Sequence, residues 1–201
     1  MKTNYIKVDK EKILDWLKAN LNEERYSHSL GTAMCASELA KFYGVDSEKA
    51  YIAGLLHDTA KCFETKKLLE LIKENNIKIF EEEKINYKTL HAPVGAYLAK
   101  NLFGVTDSEI LDSIRWHTIG KIDMTNFEKI IFIADKIEPN TRDKDFSEKI
   151  SKWIYETDGL DRAMLECYKL TIKSLVDRNL KICVQTIDIY NYLLNKFVDN
   201  S

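Results

Sequence analysis

The sequence predicts an all-α protein with a single domain, and three observations support this class. The 201 residues include only seven glycines and two prolines, which leaves few turns to connect strands. Hydrophobic residues make up 45% of the chain and charged residues 31%, the balance of a globular protein with a buried core. Apolar residues recur at helical spacing, and no stretch alternates long enough to form a sheet. We predict a helical bundle in one domain over residues 1–201.

Helix caps and apolar spacing mark the elements of the N-terminal half. Asp9 caps a helix to about residue 21, and a second runs from about residue 22 to Gly44, a residue that favours the turn after a helix. Asp46 begins a third helix that reaches residue 58, and a fourth spans 65–75. Residues 76–88 are ambiguous, because 77–80 could form a short extended piece while 81–84 is typical of a solvated segment.

The C-terminal half continues with helices in the same way. A fifth helix begins near His91 and ends at Gly104. Thr106 and Thr125, each followed three residues later by glutamate, predict capping boxes for helices that end near residue 117 and before Pro139. A short helix over 147–155 and longer helices over 160–177 and 186–197 follow. We expect residues 20–140 to form the core of the domain and the helices over 147–197 to pack on it.

Charge and cysteine usage argue against several classes of protein. The formal net charge of −2 disfavours a broad electrostatic platform for nucleic acid. The four cysteines are far apart and include no Cys-x-x-Cys spacing, which indicates unpaired thiols in a reducing compartment and disfavours a zinc knuckle. Residues 1–8 lack the apolar segment of a signal peptide, and no apolar run is long enough to cross a bilayer. We therefore expect a cytoplasmic protein that does not associate with membranes.

Histidine and aspartate recur in a pattern that suits a metal site. The pair His57-Asp58 follows an apolar stretch and offers an imidazole and a carboxylate to a divalent transition metal. Neighbours on a regular helix point about 100° apart, so both can face one ion only near a helix end or a distortion. The other three histidines, and the one carboxylate of the apolar stretch 130–137, could complete the ligand set: His28, His91, His117 and Asp135.

Each of these residues has a simpler interpretation when it is taken alone. A lone histidine is more often a satisfied core residue than a metal ligand. Asp135 could instead pair with Lys136 or Arg142, since a buried carboxylate needs a partner. The metal hypothesis depends on all of them together.

Five short motifs follow one another along the chain: Arg25-Tyr26-x-His28-Ser29, Leu55-Leu56-His57-Asp58-x-Ala60-Lys61, His91-Ala92-Pro93-Val94-Gly95-Ala96, His117-Thr118-x-Gly120 and Ala134-Asp135-x-Ile137-Glu138-Pro139. In this order they resemble the HD-domain metal phosphohydrolases, and within them the YqeK-type symmetrical bis(5'-nucleosyl)-tetraphosphatases. The resemblance covers about residues 10–195. It implies an HD-domain helical bundle that uses metal-activated water to cleave diadenosine tetraphosphate symmetrically into two ADP.

The resemblance also implies a role for each motif residue. The first metal ion, iron in this family with manganese or another divalent ion as a substitute in vitro, would be held by His28, His57, Asp58 and Asp135. Two more histidines, His91 and His117, would approach a second ion or contact substrate phosphates, and whether one or two ions bind is left open. The expected catalytic residues are Asp58, Lys61, His91 and His117. The expected substrate-binding residues are Arg25, His28, Lys61, His91, His117, Thr118, Asp135 and Arg142.

Three further residues or segments have expected roles. Glu138 would orient a ligand histidine or Arg142 by a hydrogen bond, without binding the metal itself. Residues 178–184 would help to hold the nucleoside, although they lack the glycine or proline turn that the resemblance leads us to expect. Trp116, beside His117, is the aromatic residue best placed along the chain to contact a base. For Arg25, Lys61 and Arg142 the alternative to a role in substrate binding is a solvated surface charge.

Two other functions stay open on sequence alone. The chain could be an HD phosphohydrolase of another nucleotide or an alarmone; a cyclic-dinucleotide phosphodiesterase is disfavoured, because Thr118-Ile119-Gly120 stands where that group carries Gly-Tyr-Pro. It could also be a nucleotide sensor or RNA-associated module that keeps a metal for structure. A homodimer through the C-terminal helix is left open as well.

Overall fold

The computed structural model describes residues 8–198, which fold into helices and contain no β-strand. Residues 1–7 lie outside the described residues, and they include most of the segment 1–8 that we expect not to be a signal peptide. The α-helices are α1 Lys10–Asn20, α2 Glu23–Phe42, α3 Ser47–Leu56, α4 Thr65–Glu74, α5 Glu81–Ile85, α6 His91–Asn101, α7 Ser108–Trp116, α8 Asn126–Ile137, α9 Lys144–Ser151, α10 Gly159–Asp177 and α11 Val184–Asn195. Two short 3-10 helices span Thr59–Cys62 and Tyr87–Thr89. The all-α prediction is confirmed.

Most helix starts coincide with the predicted caps. The Asp9 carboxylate accepts a hydrogen bond from the amide of Lys12, and Thr125 forms the predicted capping box with Glu128. The capping box predicted at Thr106 is wrong. The N-cap is Asp107, whose carboxylate accepts from the amides of residues 109 and 110. An ionised oxygen accepts these amide hydrogens more strongly than a hydroxyl, and it suits the positive end of the helix dipole.

The ambiguous segment 76–88 contains α5 and a 3-10 helix after residue 80, while residues 77–80 form neither a helix nor a strand. The expected solvation of 81–84 is wrong at Glu83, which is fully buried. The Glu83 carboxylate accepts two hydrogen bonds of 2.7 Å from the guanidinium of Arg115 on α7, and a third from the amide of Phe80. This bidentate partner compensates the buried charge and attaches the segment to the end of α7.

Helix α8 lies at the centre of the main core. Every residue from Phe127 to Asp135 is buried, and the helix packs against α2, α3, α7, α9 and α10. Helix α11 packs on α10. A smaller apolar cluster joins α4 to α6 through Leu68, Ile72, Leu90 and Val94. The division of the chain into a core over 20–140 and added C-terminal helices stays a prediction.

A close helix crossing positions α3 against α2. A Cβ atom on Gly54 would lie 2.6 Å from Cα of Ala33, so only glycine lets the two backbones approach this closely. The crossing occurs one turn before His57, and it brings the end of α3 beside His28 on α2. Among the residues that the structure describes, no helix combines the length and the apolar character needed to cross a membrane.

Candidate metal centre and active site

The pair His57-Asp58 lies at a break between two helices. Helix α3 ends at Leu56, His57 is its C-cap, and Asp58 precedes the 3-10 helix Thr59–Cys62. The change of helix type turns the chain, so the two neighbouring side chains can face the same space. This is the helix-end geometry that the sequence required for a shared ion.

Four other residues of the predicted set join this pair from different helices. His28 lies in the second turn of α2, His91 begins α6, His117 is the C-cap of α7, and Asp135 lies near the end of α8. All six residues are buried, and none has more than 5% of its residue surface exposed. Residues separated by more than 100 positions thus share one interior cluster.

The ligand atoms form two neighbouring groups that share Asp58. In the first group, Nε2 of His28 lies 3.1 Å from Nε2 of His57 and 3.0 Å from Oδ1 of Asp135. In the second, Oδ1 of Asp58 lies 3.1 Å from Nε2 of His91 and 3.5 Å from Nε2 of His117. The same carboxylate approaches His57 at 3.8 Å and His28 at 3.9 Å. Asp58 is therefore the residue that connects the two groups.

All four imidazoles are oriented by a partner on the outer side of the ring. Nδ1 lies 2.7 Å from a backbone carbonyl oxygen three residues earlier in His57, His91 and His117. In His28, Nδ1 lies 3.0 Å from Oε1 of the fully buried Glu138. These acceptors favour the tautomer with hydrogen on Nδ1, which directs the Nε2 lone pair inward.

Burial and mutual charge set the protonation of the cluster. Burial opposes ionisation of Asp58, but the neighbouring imidazoles, His57 foremost, outweigh it and hold the pKa of Asp58 well below its usual value. Lys136 and His28 act in the same way on the pKa of Asp135. Burial lowers the pKa of His91 and lowers the pKa of His117 to about 4. Two carboxylates and at least two neutral imidazoles therefore face the interior at neutral pH.

This donor set fits a divalent transition metal. Within the described residues, three groups of side chains place their ligand atoms within 4.8 Å of one another: His28, His57 and Asp58; His57, His117 and Asp135; and Asp58, His91 and His117. Imidazole nitrogens combined with carboxylate oxygens suit zinc, iron, manganese and related ions. The buried cluster can hold a metal ion, and the overlap of these three groups allows more than one set of ligands.

A family model for the HD domain matches residues 25–140, a span that contains all six cluster residues. The chain belongs to the HD domain family. HD domains are metal-dependent, which agrees with the donor set. The expectation of a metal site is confirmed, and the identity of the metal stays a prediction.

Two curated relatives of this HD domain are named "Bis(5'-nucleosyl)-tetraphosphatase, symmetrical". The Bacillus subtilis protein is 37% identical over 94% of this chain and 99% of its own length. The Halalkalibacterium halodurans protein is 38% identical over 93% of this chain and 98% of its own. The resemblance to the YqeK-type group is thus confirmed. A solved structure from Clostridium acetobutylicum, described as an HD superfamily hydrolase involved in NAD metabolism, matches with a TM-score of 0.87, 38% identity and coverage of 94% and 98%.

Basic side chains surround the buried cluster of this HD domain. Nη1 of Arg25 lies 3.9 Å from Oδ2 of Asp58, and Arg25 is 41% exposed. Burial lowers the pKa of Lys61, a shift to which the positive charges of Arg25 and Lys136 contribute. Arg142 donates to Oδ1 of Asp135 and approaches Nε2 of His28 at 3.1 Å. The three predicted basic residues therefore lie together around the cluster, whereas unrelated surface charges would be spread over the protein: Arg25, Lys61 and Arg142.

Asp135 pairs with both of its candidate partners. Arg142 donates to one carboxylate oxygen and Lys136 to the other. The pairing and the metal hypothesis are compatible, because Oδ1 also faces His28 and His57. The sequence predicts Lys136 only as a partner that neutralises Asp135, although its position next to a candidate ligand is a signal for a larger role.

The loop after His117 contains Thr118 and contacts the first turn of α11. The hydroxyl of Thr118 is buried and has no hydrogen-bond partner in the described part of the chain. Gln185, in the first turn of α11 and next to the segment 178–184, donates to the carbonyl oxygen of Gly120. Trp116 is partly exposed, and the guanidinium of Arg115 lies 4.7 Å from its ring centroid.

Proposed function

We propose that this chain is a metal-dependent hydrolase that cleaves diadenosine tetraphosphate symmetrically into two ADP. The observation that carries the proposal is one buried cluster of four histidines and two aspartates, joined through Asp58 and flanked by basic side chains. A purely structural metal site needs four ligands and no surrounding cations. Relatives that match nearly the whole chain carry the name of this activity.

The ligand assignment follows the two groups of the cluster. His28, His57, Asp58 and Asp135 would hold the first ion, and His91 and His117 would hold a second ion together with Asp58 or contact phosphates. We propose iron as the resident metal, with manganese as a substitute in vitro, because mixed imidazole and carboxylate ligands suit both. A bound ion supplies charge stabilisation to phosphoryl oxygens and activates water at neutral pH.

The side chains of the protein perform the remaining work of binding and orientation. Arg25, Lys61 and Arg142 would bind phosphate oxygens and offset the charge that increases as the bond breaks. Thr118 would donate its otherwise unpaired hydroxyl to a phosphate. Asp58 would act as the shared ligand that fixes the reacting phosphate relative to His91 and His117. No side chain has to form a covalent intermediate.

The direct test uses protein reconstituted with iron(II) under anaerobic conditions and with manganese in parallel. Diadenosine tetraphosphate is added, and the products are separated by chromatography. ADP as the single product, lost in Asp58→Asn and His57→Ala, is the expected result. The control variant is Asp112→Asn, an exposed aspartate on α7 that should retain wild-type turnover. Formation of ATP and AMP in equal amounts would refute symmetrical cleavage.

Two alternatives are separated by the same assay. NAD should be run as a second substrate, because the Clostridium acetobutylicum relative is described as involved in NAD metabolism. Turnover of NAD or another nucleotide without turnover of the tetraphosphate would keep an HD phosphohydrolase and change its substrate. Binding without turnover of any nucleotide would favour a sensor.

A cytoplasmic location and a homodimer stay predictions. Sedimentation would test the homodimer.

A further inference from the structure

A basic residue outside the family motifs lies against the candidate centre. Lys136 occupies the position that the motif Ala134-Asp135-x-Ile137 leaves open. Its Nζ donates to Oδ2 of Asp135, whereas Arg142 donates to Oδ1. The two cations therefore approach the Asp135 carboxylate through different oxygens, and the carboxylate lies between them.

The surroundings of Lys136 leave its ammonium group able to bind an anion. Nζ lies 3.4 Å from the carbonyl oxygen of His117 and 4.6 Å from the ring centroid of Phe132. The side chain is 22% exposed, so the charge is partly desolvated but still reachable. A charge in such an environment interacts with an anion more strongly than one in bulk water.

A second, independent observation lies at the same place. The peptide bond whose oxygen faces Lys136 joins His117 to Thr118. The Thr118 hydroxyl is buried without a partner among residues 8–198. Buried hydroxyls are nearly always hydrogen-bonded, so an unpaired one on the residue that follows the carbonyl contacted by Lys136 indicates a ligand with acceptor oxygens.

We propose that Lys136 and Thr118 form a phosphate-binding subsite on the His117 side of the centre. This inference rests on the proposed function and deepens it. A tetraphosphate cleaved at its middle extends in both directions from the reacting phosphorus, so each half needs its own cations. Arg142 and Arg25 serve the side of His28, and Lys136 serves the side of His117.

A purely neutralising role for Lys136 makes different predictions. Neutralisation of Asp135 would change metal affinity and leave phosphate affinity unaltered. A phosphate contact contributes equally to substrate and transition state, so its loss raises KM and leaves kcat nearly unchanged. Because Arg142 already pairs with the same carboxylate, loss of Lys136 should leave metal binding close to wild type.

The test compares Lys136→Gln with Lys136→Arg in manganese-loaded protein. Calorimetry with ADP and with inorganic pyrophosphate should show affinities weakened by about 10-fold or more in Lys136→Gln, the loss of one charged hydrogen bond. Lys136→Arg should restore most of the affinity. KM for diadenosine tetraphosphate should rise to a similar degree, with kcat within about threefold of wild type.

The matched control is Lys67→Gln, which removes the same charge from a side chain of α4 that is 49% exposed and pairs with Glu70. It should behave as wild type. Metal content by elemental analysis and helix content by circular dichroism check that Lys136→Gln is loaded and folded. A misfolded Lys136→Gln would be replaced by Lys136→Met, which keeps the length of the side chain.

Unchanged affinity for both anions in Lys136→Gln, with or without a change in metal affinity, would overturn the subsite. The failure of the proposed function looks different. Wild-type protein that does not cleave diadenosine tetraphosphate, but whose pyrophosphate affinity still depends on Lys136, would disprove that substrate and keep the anion subsite.

Discussion

Substitution of Gly31 by alanine tests how the buried Glu138 holds the metal centre in place. Gly31 lies on α2, one turn after His28, and a Cβ atom there would be 2.3 Å from Oε2 of Glu138. The carboxylate is fully buried and cannot move outward without breaking bonds. It accepts from the amides of Asn140 and Thr141, at 2.7 and 3.0 Å, in addition to its contact with His28.

The expected cost follows from these contacts. Alanine in a helix interior stabilises by about 1 kcal/mol relative to glycine. A hydrogen bond to a charged group contributes about 1.5–3 kcal/mol, and displacement of Glu138 weakens at least two of them. The free energy of unfolding should therefore fall by about 3 kcal/mol. For a chain of this size the melting temperature should fall by about 6–12 °C. Metal affinity should fall about 10–100-fold, because His28 loses its orienting partner.

A double-mutant cycle with Glu138→Ala isolates the clash. Urea denaturation of metal-free protein gives the free energies, and metal titration gives the affinities. Removal of the Glu138 carboxylate relieves the 2.3 Å contact and leaves the Asn140 amide, at 3.0 Å, against the new methyl group. Gly31→Ala should therefore cost much less in the Glu138→Ala background than in wild type. Equal destabilisation by Gly31→Ala in both backgrounds, or no loss of metal affinity in Gly31→Ala alone, would refute this reasoning.

Three further predictions concern the cluster and the core. Burial opposes protonation of His57, but the Asp58 carboxylate outweighs burial and raises the pKa of His57 above its ordinary 6.5. Metal affinity should therefore increase with pH through that pKa. Calorimetry at about pH 6.5 in buffers of different ionisation enthalpy should detect proton release on metal binding. No release would contradict a raised pKa of His57. Glu83→Ala leaves Arg115 without its partner and should lower the free energy of unfolding, measured by urea denaturation, by about 3 kcal/mol. The double variant Glu83→Leu/Arg115→Met should recover most of this loss. A loss below about 1 kcal/mol in Glu83→Ala would show that the pair is dispensable. Burial raises the pKa of Cys35 and of Cys167 to about 12, so at pH 8 both should resist iodoacetamide in native protein and react in denaturant, as counted by mass spectrometry. Rapid labelling of either thiol before unfolding would contradict its raised pKa.

Local patterns in the sequence were sufficient for the helices and for the membership of the cluster. Caps at Asp9, Asn22 and Thr125 set helix starts, because they depend on side chains within three residues of the amides they satisfy. The order of histidines and aspartates predicted which six residues would meet. Their types alone restrict the chemistry to a nitrogen and oxygen metal site.

Only the tertiary structure decided how those residues face one another and what surrounds them. The burial of Glu83 depends on Arg115, 32 residues away. The resemblance implied that Glu138 orients a ligand histidine or Arg142, and the fold selects His28, 110 residues away. The approach of Lys136 to the loop after His117 depends on the packing of α7 against α8. Local propensity is decided by near neighbours along the chain. The compensation of a buried charge is decided by whichever group the fold brings within hydrogen-bond distance, and that choice has no signal in sequence spacing.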